Sequence, residues 1–128
     1  MTAWRWLRLD VLLAVHDRQI AEHGGLAGVP NPERIEAALA RPQHLAAYGN
    51  PDAAALAAAY AFGLAHNHGF ADGNKRAAWV AARLFLADNG FVLHFAPADA
   101  VRTMEALAAG TVSEEELAEW FRQRISAR

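Results

Sequence analysis

Residues 50–90 read NPDAAALAAAYAFGLAHNHGFADGNKRAAWVAARLFLADNG, and this stretch decides the fold. Asn50-Pro51 offers an N-cap followed by a proline at the first helical position. The run behind it is rich in alanine, which favours helix and lets a neighbouring element approach closely, and it is expected to stay helical to about His66. A polar, glycine-bearing interval follows. Helical spacing then resumes near Asn74 and continues to Asp88, with Asn89-Gly90 as the stop. Trp79, Val80, Leu84, Phe85 and Leu86 make this second helix apolar on most sides, as expected of a central, largely buried helix.

The flanks extend the pattern. Leu9, Leu12, Leu13, His16 and Ile20 recur at helical spacing, predicting a helix over about 7–23 that Gly24-Gly25 ends. Asn31-Pro32 starts another helix, which Pro42 is expected to stop after Arg41. Phe91 to Phe95 alternates briefly and reads as an extended connector. Pro97 to Ala109 reads as a helix ending at Gly110. Ser113 and Glu116 form a capping box ahead of Leu117, Trp120, Phe121 and Ile125. No internal repeat or low-complexity linker interrupts the chain. The expectation is one all-α domain over residues 1–128, a compact helical bundle around a buried central helix.

Composition narrows the function classes. The chain has 128 residues, enough to bury a core without disulfides. Its net charge is −2, so no basic field recruits nucleic acid. There is no cysteine, which excludes a thiolate nucleophile and a Cys-ligated zinc and fits a reducing compartment. The longest uncharged apolar stretch, Ala53 to Ala65, is shorter than the ~18 residues a membrane span needs. The first ten residues lack the pattern of a leader peptide. A cytoplasmic chain with no membrane or direct nucleic-acid partner is expected. One number stands out: of 12 basic residues 11 are arginine, and the single lysine is Lys75.

Lys75 lies in the loop His66-Asn67-His68-Gly69-Phe70-Ala71-Asp72-Gly73-Asn74-Lys75-Arg76. A glycine followed by Asn, Lys and Arg at a helix start combines free backbone N–H groups, a positive dipole end and two cations. That is an anion site, most simply for phosphate. Asp72 can hold Mg²⁺ against such a phosphate, since Mg²⁺ prefers one or two carboxylates with phosphate oxygens and water. His68 carries the one side chain type that ordinarily exchanges protons near neutral pH, suiting it to take a proton from an attacking hydroxyl. Base, metal ligand and phosphate cradle within nine residues make a phosphoryl- or nucleotidyl-transfer site.

The nine residues His68-Gly-Phe70-Ala-Asp72-Gly73-Asn74-Lys75-Arg76 resemble the motif of the Fic/Doc superfamily, H-x-F-x-[DE]-[GA]-N-[GK]-R. The likeness extends upstream through His16-Asp17, Gly24-Gly25 and Ala37 to Gln43, and downstream to Leu86 through Gly90. It covers most of the chain. Adenylylating Fic enzymes carry glycine at the position of Lys75 and a second arginine at that of Trp79. Both differences make the chain similar to the Doc (death-on-curing) toxin branch. Gly73 stands where some Doc members have alanine.

The resemblance implies a toxin of a type II toxin–antitoxin system acting as a protein kinase. It would transfer the γ-phosphate of ATP to a threonine of elongation factor Tu, with Mg²⁺, and so arrest translation. His68 would be the general base and Asp72 the metal ligand. Gly73, Asn74, Lys75 and Arg76 would hold phosphate oxygens, with Lys75 and Arg76 stabilising charge in the transition state. Phe70 would anchor the loop by burying its ring. A small Phd-like antitoxin, its C-terminal segment folding on binding, is the implied partner. The alternatives are a Fic-type nucleotidyltransferase that adenylylates a protein hydroxyl, and a catalytically silent binding module of the same fold.

Other readings of these residues compete less well. Gly69 to Lys75 has the wrong spacing for a Walker A loop, and no Ser or Thr follows the lysine. A two-His-one-carboxylate centre from His66, His68 and Asp72 would place a transition metal beside Lys75 and Arg76. His16-Asp17 reads as a buried hydrogen-bonded pair, Trp4 and Trp6 as packing or an interface edge, and Glu114 to Glu116 as a helix first turn. Arg83 is left between two roles, near the phosphate or paired with an acid.

Overall fold

The hydrophobic pattern closes into a helical bundle in the computed structural model, which describes residues 3–26 and 28–128. Met1 and Thr2, the first positions of the stretch read above for a leader, lie outside the described residues, as does Ala27. The elements are α1 (Leu9–His23), α2 (Pro32–Tyr48), α3 (Ala53–His66), α4 (Asn74–Asp88), β1 (Phe91–Leu93), α5 (Pro97–Ala109), α6 (Glu114–Arg122) and β2 (Ile125–Ala127). The all-α expectation holds. The two three-residue strands pair antiparallel with Phe91 opposite Ala127 and form the only sheet among the described residues.

The central position belongs to α3, which corrects the expectation for α4. Eleven of its fourteen residues are buried, and α2, α4, α5 and α6 all pack on it. Alanine makes this possible, because short side chains let four neighbours reach one helix at close range. Gly63 takes the argument to its limit. A Cβ there would lie 3.2 Å from the Ala38 Cβ and 3.5 Å from the Ala38 carbonyl oxygen on α2. On α4 the buried face is Ala77, Ala78, Ala81, Ala82, Phe85 and Leu86, while Trp79, Val80 and Leu84 are only half-buried.

Three boundaries also differ from expectation. Pro42 does not stop α2. It lies fully buried inside the helix, which continues to Tyr48. Proline removes one N–H and disfavours helix before it. Here burial of the ring and the helix-forming Gln43-His-Leu-Ala-Ala47 run outweigh that cost. The cap of α3 is Asp52, which accepts from the Ala55 N–H at 2.9 Å, so Asn50-Pro51 precedes the helix instead of opening it. Ile125 does not extend α6. It pairs with Leu93 in the sheet, and the extended connector of the sequence reading is one strand of that ribbon.

Long-range contacts tie the N-terminal segment to the end of α4 away from the site loop. The Tyr60 hydroxyl, buried in α3, accepts from the Leu7 N–H at 2.9 Å. Trp4 and Trp6 pack on Phe85, with ring centroids 5.8 and 6.1 Å away, which gives them the packing role. Asn89 holds the same N-terminal segment by accepting from the Arg5 N–H at 2.8 Å and donating to its carbonyl at 3.0 Å. Both halves of the Ser113–Glu116 capping box form, and Glu114 also receives the Arg41 guanidinium. No helix among the described residues is long and apolar enough to cross a membrane.

Candidate active site

The loop joining α3 to α4 has its shape set residue by residue. Asn67 caps α3, its N–H donating to the Gly63 carbonyl at 2.9 Å and its side chain donating to the Arg34 carbonyl at 3.1 Å. His68 follows in the left-handed region, φ +52, where a helix C-terminus usually places glycine. The next residue has no room for a side chain, since a Cβ on Gly69 would lie 2.4 Å from Ile35 Cγ1. The Gly69 carbonyl accepts from the Asn31 N–H at 2.7 Å, fastening the loop to the start of α2.

Phe70 is the anchor. Its ring is 5% exposed and stacks on the His16 imidazole at 3.7 Å and 8°. Asn74 closes the turn around it, donating to the Phe70 carbonyl at 2.9 Å and accepting from the Phe70 N–H at 3.1 Å. The Asn74 side chain is therefore committed to the loop, and what it offers a phosphate is its backbone N–H. With Gly73 at φ +78 as the N-cap, α4 begins at Asn74. By helix geometry the first N–H groups of α4 have no carbonyl of their own helix to meet.

Asp72 stands at the mouth of this turn. Its carboxylate accepts from the Leu26 N–H at 3.1 Å and the Gly73 N–H at 2.8 Å. Those bonds, with the positive charges of Arg76 and of His16 when protonated, hold its carboxyl below the ordinary 3.8. Each oxygen uses one lone pair on these bonds and keeps another for a cation, so the group is ionised and can serve Mg²⁺ as its single protein carboxylate. His68, Asp72, Gly73, Asn74, Lys75 and Arg76, the six residues expected at the site, all line one cleft of about 460 Å³. His68, Lys75 and Arg76 are exposed there.

Two contributors were missed in the sequence. His16 is 6% exposed and its Nε2 lies 2.7 Å from the Asp72 carbonyl oxygen. A carbonyl only accepts, so Nε2 carries the proton. Asp17 points to solvent, and the expected His16–Asp17 pair does not form. The second contributor is the segment Gly24-Gly25-Leu26, whose two glycines were read in sequence as a helix end and as part of the family likeness, not as site residues. Besides the Leu26 bond to Asp72, Arg76 donates to the Gly24 carbonyl at 3.2 Å. Gly25, at φ +127, sits so close that a Cβ would lie 2.9 Å from Asp72 Oδ2.

The remaining candidates go elsewhere. His66 bonds the Leu107 carbonyl at 2.7 Å, on the side of α3 that meets α5. Arg83 makes no ion pair among the described residues and does not line the cleft of His68 and Asp72. Its guanidinium lies over the rings of Trp79 at 5.5 Å and Phe95 at 5.2 Å.

Residues 6–86 match the Fic/DOC family. The chain is 37% identical to the protein kinase doc of Escherichia phage P1 over 120 residues, which is 93% of this chain and 94% of that protein. It is 45% identical to the toxin Doc of Mycolicibacterium smegmatis over 73 residues, 55% of each.

Proposed function

The chain belongs to the Fic/DOC family, and on that premise we propose that it is a Doc-like toxin that acts as a protein kinase. It transfers the γ-phosphate of ATP to a threonine of elongation factor Tu and thereby arrests translation. The observation that carries this reading is that Lys75, in the first turn of α4, lines the same cleft as His68 and Asp72. A lysine there fills space that a glycine would leave for phosphates lying along the loop. Similarity to a protein named as a kinase over nearly the whole chain supports the same choice.

The chemistry follows from the residues present. The His68 ring takes the proton from the target hydroxyl as its oxygen bonds to the γ-phosphorus. The bond from that phosphorus to the β–γ bridging oxygen breaks, leaving ADP and a phosphorylated hydroxyl, and His68 returns its proton to solvent. Lys75, Arg76 and the first N–H groups of α4 hold the phosphate oxygens and meet the charge that shifts toward the leaving group. Mg²⁺, held by Asp72, would neutralise phosphate charge. The Asp72 carboxylate fits that task, being ionised, exposed and fixed in direction by two N–H groups.

The partners that go with this activity are a small Phd-like antitoxin, whose C-terminal segment orders as it binds, and the elongation factor as substrate. Such a target puts the site of action in the cytoplasm. Expression in a bacterial host without an antitoxin tests the proposal. The wild-type chain should arrest growth and phosphorylate elongation factor Tu, and His68→Ala and Asp72→Asn should do neither. Growth arrest by His68→Ala equal to that of the wild type would remove catalysis as the cause.

A further inference from the structure

Three parts of the chain bound the transfer cleft: the end of α1 with the two glycines after it, the loop that starts α4, and a pair of alanines, Ala65 on α3 and Ala108 on α5. The first of these bonds Arg76 through Gly24, and the adjoining Leu26 bonds Asp72, so that side holds metal and phosphate. Ala65 precedes His68 by three residues, which puts the alanine pair at the end of the cleft where the proton is taken. Its two members come from separate helices, and α5 touches α3 less than α2, α4 and α6 do.

What joins the two helices there is His66. Its Nε2 lies 2.7 Å from the Leu107 carbonyl oxygen, and because a carbonyl only accepts, Nε2 carries the proton. The last carbonyls of a helix have no partner in their own helix. In α5 the Leu107 carbonyl instead meets the Gly110 N–H at 3.1 Å and the His66 ring. The imidazole is half-buried and stands edge-on to Phe62, one turn earlier on α3, with ring centroids 4.4 Å apart. The bond acts directly on the cleft, since His66 follows Ala65 in the chain and Leu107 precedes Ala108.

We propose that His66 is a positioning residue for the target chain: its bond to Leu107 sets the wall of Ala65 and Ala108 along which the target hydroxyl reaches His68. The inference rests on the transfer to a protein hydroxyl proposed above. The two alanine side chains offer no charge and no hydrogen bond, so this wall selects by shape. A slender side chain passes with its carbon atoms against the two methyl groups, and the width left for it depends on how closely α5 is held to α3. Phosphate and metal are held by the charged parts of the cleft. Loss of the His66 bond is therefore felt by the protein substrate and not by ATP.

Initial rates with elongation factor Tu varied at saturating ATP, beside calorimetric titration of each full chain with ATP and Mg²⁺, test the assignment. His66→Phe keeps the edge contact with Phe62 and deletes the donor, whereas His66→Gln keeps a donor at similar reach. In His66→Phe the KM for the elongation factor should rise by about fivefold, the equivalent of one ordinary hydrogen bond, with ATP affinity as in the wild type. His66→Gln should recover most of that loss. Ala108 is exposed, so Ala108→Trp keeps the fold and narrows the passage directly. It should raise the same KM at least as far and again leave ATP affinity unchanged. A wild-type KM in His66→Phe or in Ala108→Trp, an equal loss of ATP affinity, or no recovery in His66→Gln would overturn the positioning role and leave the kinase reading standing. No transfer from the wild type to the elongation factor would instead remove the kinase reading, and the positioning role with it.

Discussion

The Nε2 of His16 on α1 donates to the carbonyl oxygen of Asp72 at 2.7 Å, joining residues 56 positions apart in the chain. The same ring stacks on Phe70, so one buried imidazole holds the loop from its side and sets the peptide that carries the proposed metal ligand. His16→Phe keeps the stack and deletes the bond. It should lower stability by about 1 kcal/mol, the cost of losing one partly buried hydrogen bond. Phosphotransfer should fall further than the loss of folded protein accounts for. Urea unfolding beside initial rates checks this, and unchanged rates would show that Asp72 needs no such support.

Gly25 meets the carboxylate from the other side. An alanine there would bring Cβ to 2.9 Å from both Asp72 Oδ2 and Ile20 Cδ1, at a φ of +127 that L residues rarely adopt. At Gly24, φ +80, a Cβ would meet nothing within 4 Å. Gly25→Ala should therefore cost more stability than Gly24→Ala, by about 1–2 kcal/mol. It should also weaken Mg²⁺-dependent ATP binding more strongly. Equal effects of the two substitutions would mean that the loop and Asp72 are not coupled.

His68 holds a left-handed backbone conformation that glycine adopts at no steric cost. His68→Gly should raise the unfolding free energy by about 0.5–1 kcal/mol while abolishing phosphotransfer. Thermal melts and transfer assays on one preparation read both. A variant that is both less stable and still active would contradict the placement of His68 as a strained functional residue.

Acid should cost stability through carboxylates whose pKa folding lowers, Asp52 foremost because it is partly buried. The Arg122 guanidinium holds Asp52 below 3.8, and the Leu26 and Gly73 N–H groups do the same for Asp72. A folded pKa below the unfolded one means that folding favours the ionised form. The stability each contributes is therefore complete above the unfolded value and is lost as pH falls through the folded one. Denaturation midpoints should be level above about pH 5 and drop below pH 4. Asp52→Asn should make that drop shallower. An unaltered drop in Asp52→Asn would separate acid sensitivity from the Asp52–Arg122 pair.

The sequence resolved what local chemistry determines. The bounds of α4 and α5 and the capping box of α6 follow from caps, glycine stops and spacing within a few residues, while the burial of Phe70 was implied by the family resemblance. Pro42 could not be read this way, because its tolerance depends on burial of its ring inside the bundle. Ile125 fits helical spacing as well as strand pairing, and only its partner Leu93 decides between them. Which helix is central was also hidden, since an alanine-rich helix gains its place through how closely neighbours approach it. The site shows the same division. Its six residues fall within nine positions of the sequence and were legible as chemistry. His16 and the Gly24–Leu26 segment act from 46 or more positions away and could be found only by folding the chain.

The central claim is the identity of the transferred phosphate. Incubate the protein with elongation factor Tu, Mg²⁺ and ATP labelled at either the α- or the γ-phosphate, and follow label onto the elongation factor. The account expects γ-label on the factor, none from the α position, and a severe loss of transfer in Lys75→Ala, which should still fold. Label arriving from the α-phosphate would contradict it and identify a nucleotidyltransferase.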